Sequence, residues 1–194
     1  MKLRIISLVF VVFGCSGAKY DPALRPHREY VVSTLYQIEK IPYLPELSGD
    51  SLYWVLAMKG LEIVPDLIGM IDDTTVTNVP LENIPSDHTI GDIAVSVLGE
   101  ILHGTFYTIE DIIKNKKGFQ LDNVTGSPYV YYFDFVRNNS KENRVYLKTE
   151  LYKWFIKNET NFVWVVDTTK YSKAAHDWKF NTNYYPTKGY YILK

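Results

Sequence analysis

Apolar side chains recur at three- and four-residue spacing along most of this chain. The breaks fall at prolines, glycines and short polar runs, which is the signature of several short helices. Val31, Leu35 and Ile38 share one face of a helix opening at His27 and stopped by Pro42 and Pro45. Asp50 offers an N-cap to a short helix carrying Leu52, Val55 and Leu56, with Gly60 at its end. Ile63, Val64, Leu67, Ile68 and Ile71 predict the next one, with Pro65 tolerated in its first turn. These two form an antiparallel hairpin in this reading. The clearest stripe is Ile90, Ile93, Ala94, Val97, Leu98, Ile101 and Leu102, headed by a Thr89/Asp92 capping box and closed by His103-Gly104. This helix is expected to be the most buried element.

Thr108 and Asp111 repeat the capping pattern, predicting a second helix start there, ended by Lys116, Lys117 and Gly118. Ser127-Pro128 begins a helix with Tyr129, Tyr132, Phe133 and Val136 on one face, and Ser140 begins a longer one with Leu147, Leu151, Trp154 and Phe155. Between the helices, Asp72 to Asp87 reads as a long loop rich in Thr, Asn and Pro, a length often tied to function. After Asn161 the period changes. Phe162 to Val166 is an aromatic and β-branched run that suits a strand, and Lys170 to Lys194 is tyrosine-rich and broken by Pro186 and Gly189. The expected fold is therefore mostly α, with an extended C-terminal tail over the helices that pairs with itself as a β-hairpin in one version of the reading.

The stretch Gly60-Leu61-Glu62-Ile63-Val64-Pro65-Asp66-Leu67-Ile68-Gly69-Met70-Ile71-Asp72-Asp73 resembles the second helix of a HEAT-like repeat, and Gly91 to Leu98 fits the helix that follows. The likeness covers Leu52 to Leu102. It implies HEAT-like stacked helical hairpins whose usual role is protein binding, and it brings no catalytic residues.

The N-terminus changes the picture of where this domain works. Lys2 and Arg4 make a basic start, and Leu3 to Phe13 is apolar apart from Arg4 and Ser7. As a helix that run would span only ~16 Å at ~1.5 Å per residue, against a hydrocarbon core of ~30 Å. It reads as an export signal. Val12-Phe13-Gly14-Cys15 resembles the lipobox of bacterial lipoproteins. The resemblance implies cleavage before Cys15 and acylation of its sulfur and its new amine. Two or three acyl chains hold a stable anchor where one is marginal. The alternative is an ordinary secretory signal cut near Gly17-Ala18, which discards Cys15. On the lipobox reading, residues 1–14 are signal peptide, 15–26 a polar tether, 27–161 the helical domain and 162–194 the aromatic tail packed on it. The location that follows is the cell envelope, outer membrane rather than inner.

Cys15 is the single cysteine, so CxxC redox chemistry, thiolate zinc sites and cysteine nucleophiles have no place in the mature domain. Removing residues 1–14 takes away Lys2 and Arg4 and no acid, leaving 19 basic and 22 acidic side chains and a charge near −3. That balance provides no nucleic-acid footprint. No GxSxG or phosphate-cradling glycine loop is present, the SxxK match Ser16-Gly17-Ala18-Lys19 falls in the tether, and no cofactor is implied. The most suggestive polar group is Asp72, Asp73, Asp87, His88 and Asp92, because carboxylates beside an imidazole can hold a divalent metal or act as an acid–base pair. Each also has a plain structural role at a helix end, and HExxH or HxH spacing is missing. Of this group Asp72, Asp73, His88 and Asp92 stand as the candidate polar cluster, with no catalytic residue or metal ligand assigned. His103 reads as a helix C-cap, His27 lies near the tether, and His176 beside Asp177 is weak evidence for a pair on an extended chain.

Sixteen tyrosines and four tryptophans remain to be explained. Trp178, Phe180, Tyr184, Tyr185, Tyr190 and Tyr191 either pin the tail to the helices or form a stacking surface for glycan. The favoured function is a lipid-anchored, non-catalytic envelope protein with a protein partner, held to the membrane through Cys15. The rival is an envelope hydrolase or a glycan- or peptidoglycan-binding lipoprotein using the acidic loop 72–92 or the aromatic tail.

Overall fold

The computed structural model describes residues 27–42, 50–81, 86–118, 127–138, 140–166 and 189–194. The signal, Cys15, the tether, the His176-Asp177 pair and the tail aromatics from Trp178 to Tyr185 lie outside the described residues. What is described is mostly helical, with two small antiparallel sheets. Among the described residues no helix is long and apolar enough to cross a membrane.

Helix α1 (Arg28–Leu35) is followed by α2 (Ser51–Met58), whose N-cap Asp50 accepts the Leu52 amide at 2.7 Å. Gly60 has φ +63°, a left-handed conformation that turns the chain into a 3-10 turn (Gly60–Ile63) and then α3 (Val64–Gly69), with Pro65 in its first turn. The polar stretch that follows is not wholly loop. It contains β1 (Val76–Pro80), paired antiparallel with β2 (Asp87–Thr89).

Helix α4 (Ile90–Ile101) follows directly. Its Thr89/Asp92 capping box is present, with the Asp92 amide donating to Thr89 Oγ1 at 3.2 Å and the Thr89 amide to Asp92 Oδ2 at 2.8 Å. Ile93, Val97 and Ile101 are buried, and α1, α2, α3 and α5 all touch this helix. Burying each such side chain contributes roughly 1.5–3 kcal/mol, so the stripe read from the sequence does seat α4 in the core.

Helix α5 (Thr105–Lys114) starts earlier than the Thr108/Asp111 pattern predicts. Gly104 takes φ +85° and re-enters a helix at once, while buried Thr105 donates its hydroxyl to the Leu102 carbonyl at 2.6 Å. Thr108 therefore sits inside the helix, its amide bonded to the Gly104 carbonyl at 3.1 Å, and caps nothing. Helices α6 (Pro128–Arg137) and α7 (Ser140–Asn158) pack on each other and on α5, and α7 also lies along α3.

The chain leaves α7 into β3 (Phe162–Val166), which pairs with β4 (Gly189–Leu193) in register from Phe162–Leu193 to Val166–Gly189. Backbone and ring contacts moor the ribbon to the helices. The His103 amide donates to the Tyr191 carbonyl at 2.9 Å, and Phe162 packs against Trp154 and Phe155. The Tyr191 ring lies where a Cβ on Gly60 would meet it at 3.2 Å, so that glycine also makes room for the ribbon.

Candidate functional site

Two of the four candidate polar residues, Asp92 and Asp72, pair with the N-terminal half of α7, whereas Asp73 bonds to Thr75 and Tyr36 and His88 lies against Phe133. Asp92 is the deepest. Its Oδ1 accepts from Arg144 Nη2 at 2.8 Å and from the Tyr132 hydroxyl at 2.7 Å, while Oδ2 serves the capping box. Both charged side chains are only 4% exposed. Arg144 also reaches the Ile71 carbonyl and the Tyr132 hydroxyl, each at 3.2 Å, and Ser140 Oγ at 3.2 Å. One guanidinium thereby joins the end of α3, the start of α4, the middle of α6 and its own helix. Burial would push the Asp92 carboxyl up, but Arg144, Tyr132 and Thr89 outweigh it and hold the carboxyl below its usual range. Burial, then the Asp92 charge, pushes the Tyr132 hydroxyl well above its ordinary value.

Asp72 pairs with Lys148 one turn further along α7, at 2.7 Å and half-exposed. Asp73 closes the turn into β1. Its Oδ1 accepts the Thr75 amide at 2.9 Å and its Oδ2 the Tyr36 hydroxyl at 2.9 Å, and these bonds lower its pKa against the contrary pull of burial. His88 is 1% exposed, with its ring edge-on to Phe133 at 5.8 Å. Burial lowers its pKa to about 4, despite the charges of Asp92 and Asp87, so the imidazole is neutral at pH 7. Among the described residues no group of three or more His, Cys, Asp or Glu is placed to hold a metal ion.

The chemistry of this arrangement is that of a clamp. A carboxylate held ionised by a guanidinium and already accepting from the Tyr132 hydroxyl and Thr89 is a poor general acid or base. A neutral, buried imidazole against a phenyl ring is likewise remote from any incoming group. His103, read as a cap, stacks on Tyr190 at 4.5 Å.

Arg144, Tyr132 and Lys148 are residues that sequence reasoning missed. A signal for Arg144 was present. It continues the face of Leu147, Leu151 and Phe155 one turn toward the N-terminus, and a guanidinium on an apolar face needs a buried carboxylate partner.

Two open grooves run along the flanks of α7. One, between α3 and α7, encloses about 300 Å³ and is lined by Pro65, Ile68, Gly69, Lys148, Tyr152 and Lys153, among others. The other, between α5 and α7, also encloses about 300 Å³ and carries Asp111, Glu150 and Trp154. No family model, curated protein or solved structure matches this chain.

Proposed function

We propose that this protein is a lipid-anchored component of a bacterial cell envelope, tethered through Cys15, whose helical domain binds another envelope protein without catalysis. The observation that carries the binding half is that Asp92 and Asp72 are paired with Arg144 and Lys148, Asp73 closes a turn and His88 is buried against Phe133, while the two grooves beside α7 stay open. The anchor rests on the run Val12-Phe13-Gly14-Cys15, which resembles a lipobox. The outer membrane is the proposed location. The packing of α2 and α3 on α4 supports, at the level of a proposal, a HEAT-like stacking of helical hairpins.

Photo-crosslinking residues introduced along α3, α5 and α7 in intact cells test this reading. A defined envelope protein should be captured from a contiguous set of positions, and far less of it from a Cys15→Ala chain. Capture of nothing from any position sinks the proposal.

A second reading has one observation in its favour. Trp164 is 45% exposed beside Tyr191, and Tyr190 stacks on His103, an aromatic group of the kind that sugars stack on. Retention of the protein on purified peptidoglycan, lost in a Trp164→Ala variant, would favour glycan binding.

A further inference from the structure

The end of the domain where the chain enters from Cys15 carries a surface of its own. Helix α1 opens at Arg28, and Tyr30 in its first turn is 40% exposed. Met58, the last residue of α2, is 51% exposed, although an apolar side chain of that size gains from burial. Lys59 joins the two. Its Nζ lies over the Tyr30 ring at 5.7 Å and meets Glu62 at 3.8 Å, with both charged side chains nearly half exposed. Arg28 and Glu29 add one charge of each sign, so the surface is close to neutral. Among the described residues none from α1 or α2 lines the grooves along α7, so this end is clear of the proposed protein-binding face.

Position decides what meets this surface. Cys15 and His27 are twelve residues apart, and at ~3.3–3.6 Å per residue such a stretch reaches about 43 Å at most. A domain of this size is about 40 Å across. A face on its far side could touch the membrane only with that stretch drawn almost straight, at a high cost in chain entropy. Tyr30, by contrast, sits one helical turn from the point of entry. The chemistry also suits lipid. Tyrosine offers an apolar ring with a polar tip, and lysine an apolar stem with a charged head, the division a side chain needs at the headgroup boundary. We infer that Tyr30, Met58 and the stem of Lys59 rest in the headgroup layer of the membrane that holds Cys15, which turns the α1–α2 end toward lipid and leaves the α7 grooves free for a partner. The inference rests on the lipid-anchor reading. Two half-exposed side chains are too few to hold a free domain, so the contact orients a chain already tethered, whose local concentration at the bilayer is high.

The test uses the lipidated protein in vesicles of phosphatidylcholine and phosphatidylethanolamine, with single introduced cysteines carrying an environment-sensitive fluorophore. Cys15 is the single native cysteine and acylation blocks its sulfur, so the unaltered chain should take up no dye. Ser33→Cys, one turn from Tyr30 on the same face, and Glu62→Cys, beside Lys59, report on the surface. Exposed Tyr107→Cys on α5 and Val145→Cys on α7 are the controls. The dye at 33 and 62 should shift to the blue and be quenched by lipids carrying a quencher at headgroup depth, whereas the dye at 107 and 145 should not. Tyr30→Ser with Met58→Ser should abolish that quenching. Both sites are exposed, so this variant should still float with the vesicles and keep the wild-type Tm.

Equal quenching at all four positions, quenching confined to the controls, or quenching at 33 and 62 that survives Tyr30→Ser with Met58→Ser overturns the inference. So does a contact that needs phosphatidylserine and disappears in high salt, which would assign it to charge rather than to this neutral surface. Unquenched dye at 33 and 62 in vesicles, together with crosslinks from positions 30 and 58 to a protein in intact cells, would make the surface a protein contact instead. Dye uptake by the unaltered chain, or failure to float with the vesicles, removes the lipid anchor and this inference together. A floating chain with unquenched dye at 33 and 62 removes this inference alone.

Discussion

Replacing Arg144 by Met tests the clamp at its centre. Methionine keeps the stem and its packing but removes the positive charge and every hydrogen bond of the guanidinium, leaving Asp92 with its side chain 4% exposed and no counter-charge. Breaking a buried pair in this way costs about 3–5 kcal/mol. The lower end applies here, because the Tyr132 hydroxyl and the Thr89 amide and hydroxyl still donate to the Asp92 carboxylate at 2.7–2.8 Å. A loss of ~3 kcal/mol in a domain of this size lowers Tm by roughly 6–12 °C. The pH dependence follows from the sign of the shift. Asp92 has its pKa lowered in the fold, so its pairing stabilises above the ordinary carboxylate range and is lost as pH falls through the folded value. Removing Arg144 takes away the largest influence that lowers this carboxyl, so the variant takes up its proton at a higher pH than the wild type does. The gap between wild type and Arg144→Met should therefore be wide at pH 7 and narrow toward pH 4, by calorimetry or chemical denaturation. Adding Asp92→Asn to the variant should recover part of the loss at pH 7, since no unpaired charge then remains inside. A variant melting within about 2 °C of wild type, or a gap that stays constant with pH, would refute the reasoning.

Gly91→Ala offers a second test of the same junction. An added Cβ would meet Arg144 Nη1 at 2.9 Å and press on the Ile71 and Asp73 carbonyls, so a change that is normally favourable in a helix should cost about 1–3 kcal/mol. An unchanged or raised Tm would mean the α3–α4 junction is looser than described. His88 has its pKa lowered to about 4 in the fold, so it disfavours folding progressively as pH falls from about 6.5 to about 4, by at most ~3 kcal/mol, and adds nothing further below. His88→Leu should flatten the stability–pH curve over that window, and identical slopes would contradict the assignment.

What the sequence disclosed, and what it hid, follows from the range of each interaction. The α4 stripe and its capping box are local patterns, and they appear in the structure as read. Thr108 and Asp111 carry the same local pattern and mislead, because Gly104 restarts the helix one turn earlier. The strand pair β1–β2 was hidden in a stretch read as loop. Only Val79 of β1 is buried, and Pro80 with Asn78 masks the alternation. The clamp was half-legible: Asp92 was singled out, but its partner lies 52 residues away, and nothing in the spacing of Asp72, Asp73, His88 and Asp92 pointed to α7. The α3–α7 groove belongs to no local pattern, since it is made by helices about 80 residues apart in sequence, far beyond the one or two turns over which helical periodicity can be read.

The most direct test of the central claim is the location of the Cys15→Ala protein. Cells expressing either chain are lysed, and their membranes are washed in high salt and sedimented. The account predicts that the wild-type chain stays with the membranes, whereas the Cys15→Ala chain moves to the soluble fraction with the wild-type Tm. A Cys15→Ala chain that remains in the washed membranes would contradict the lipid tether.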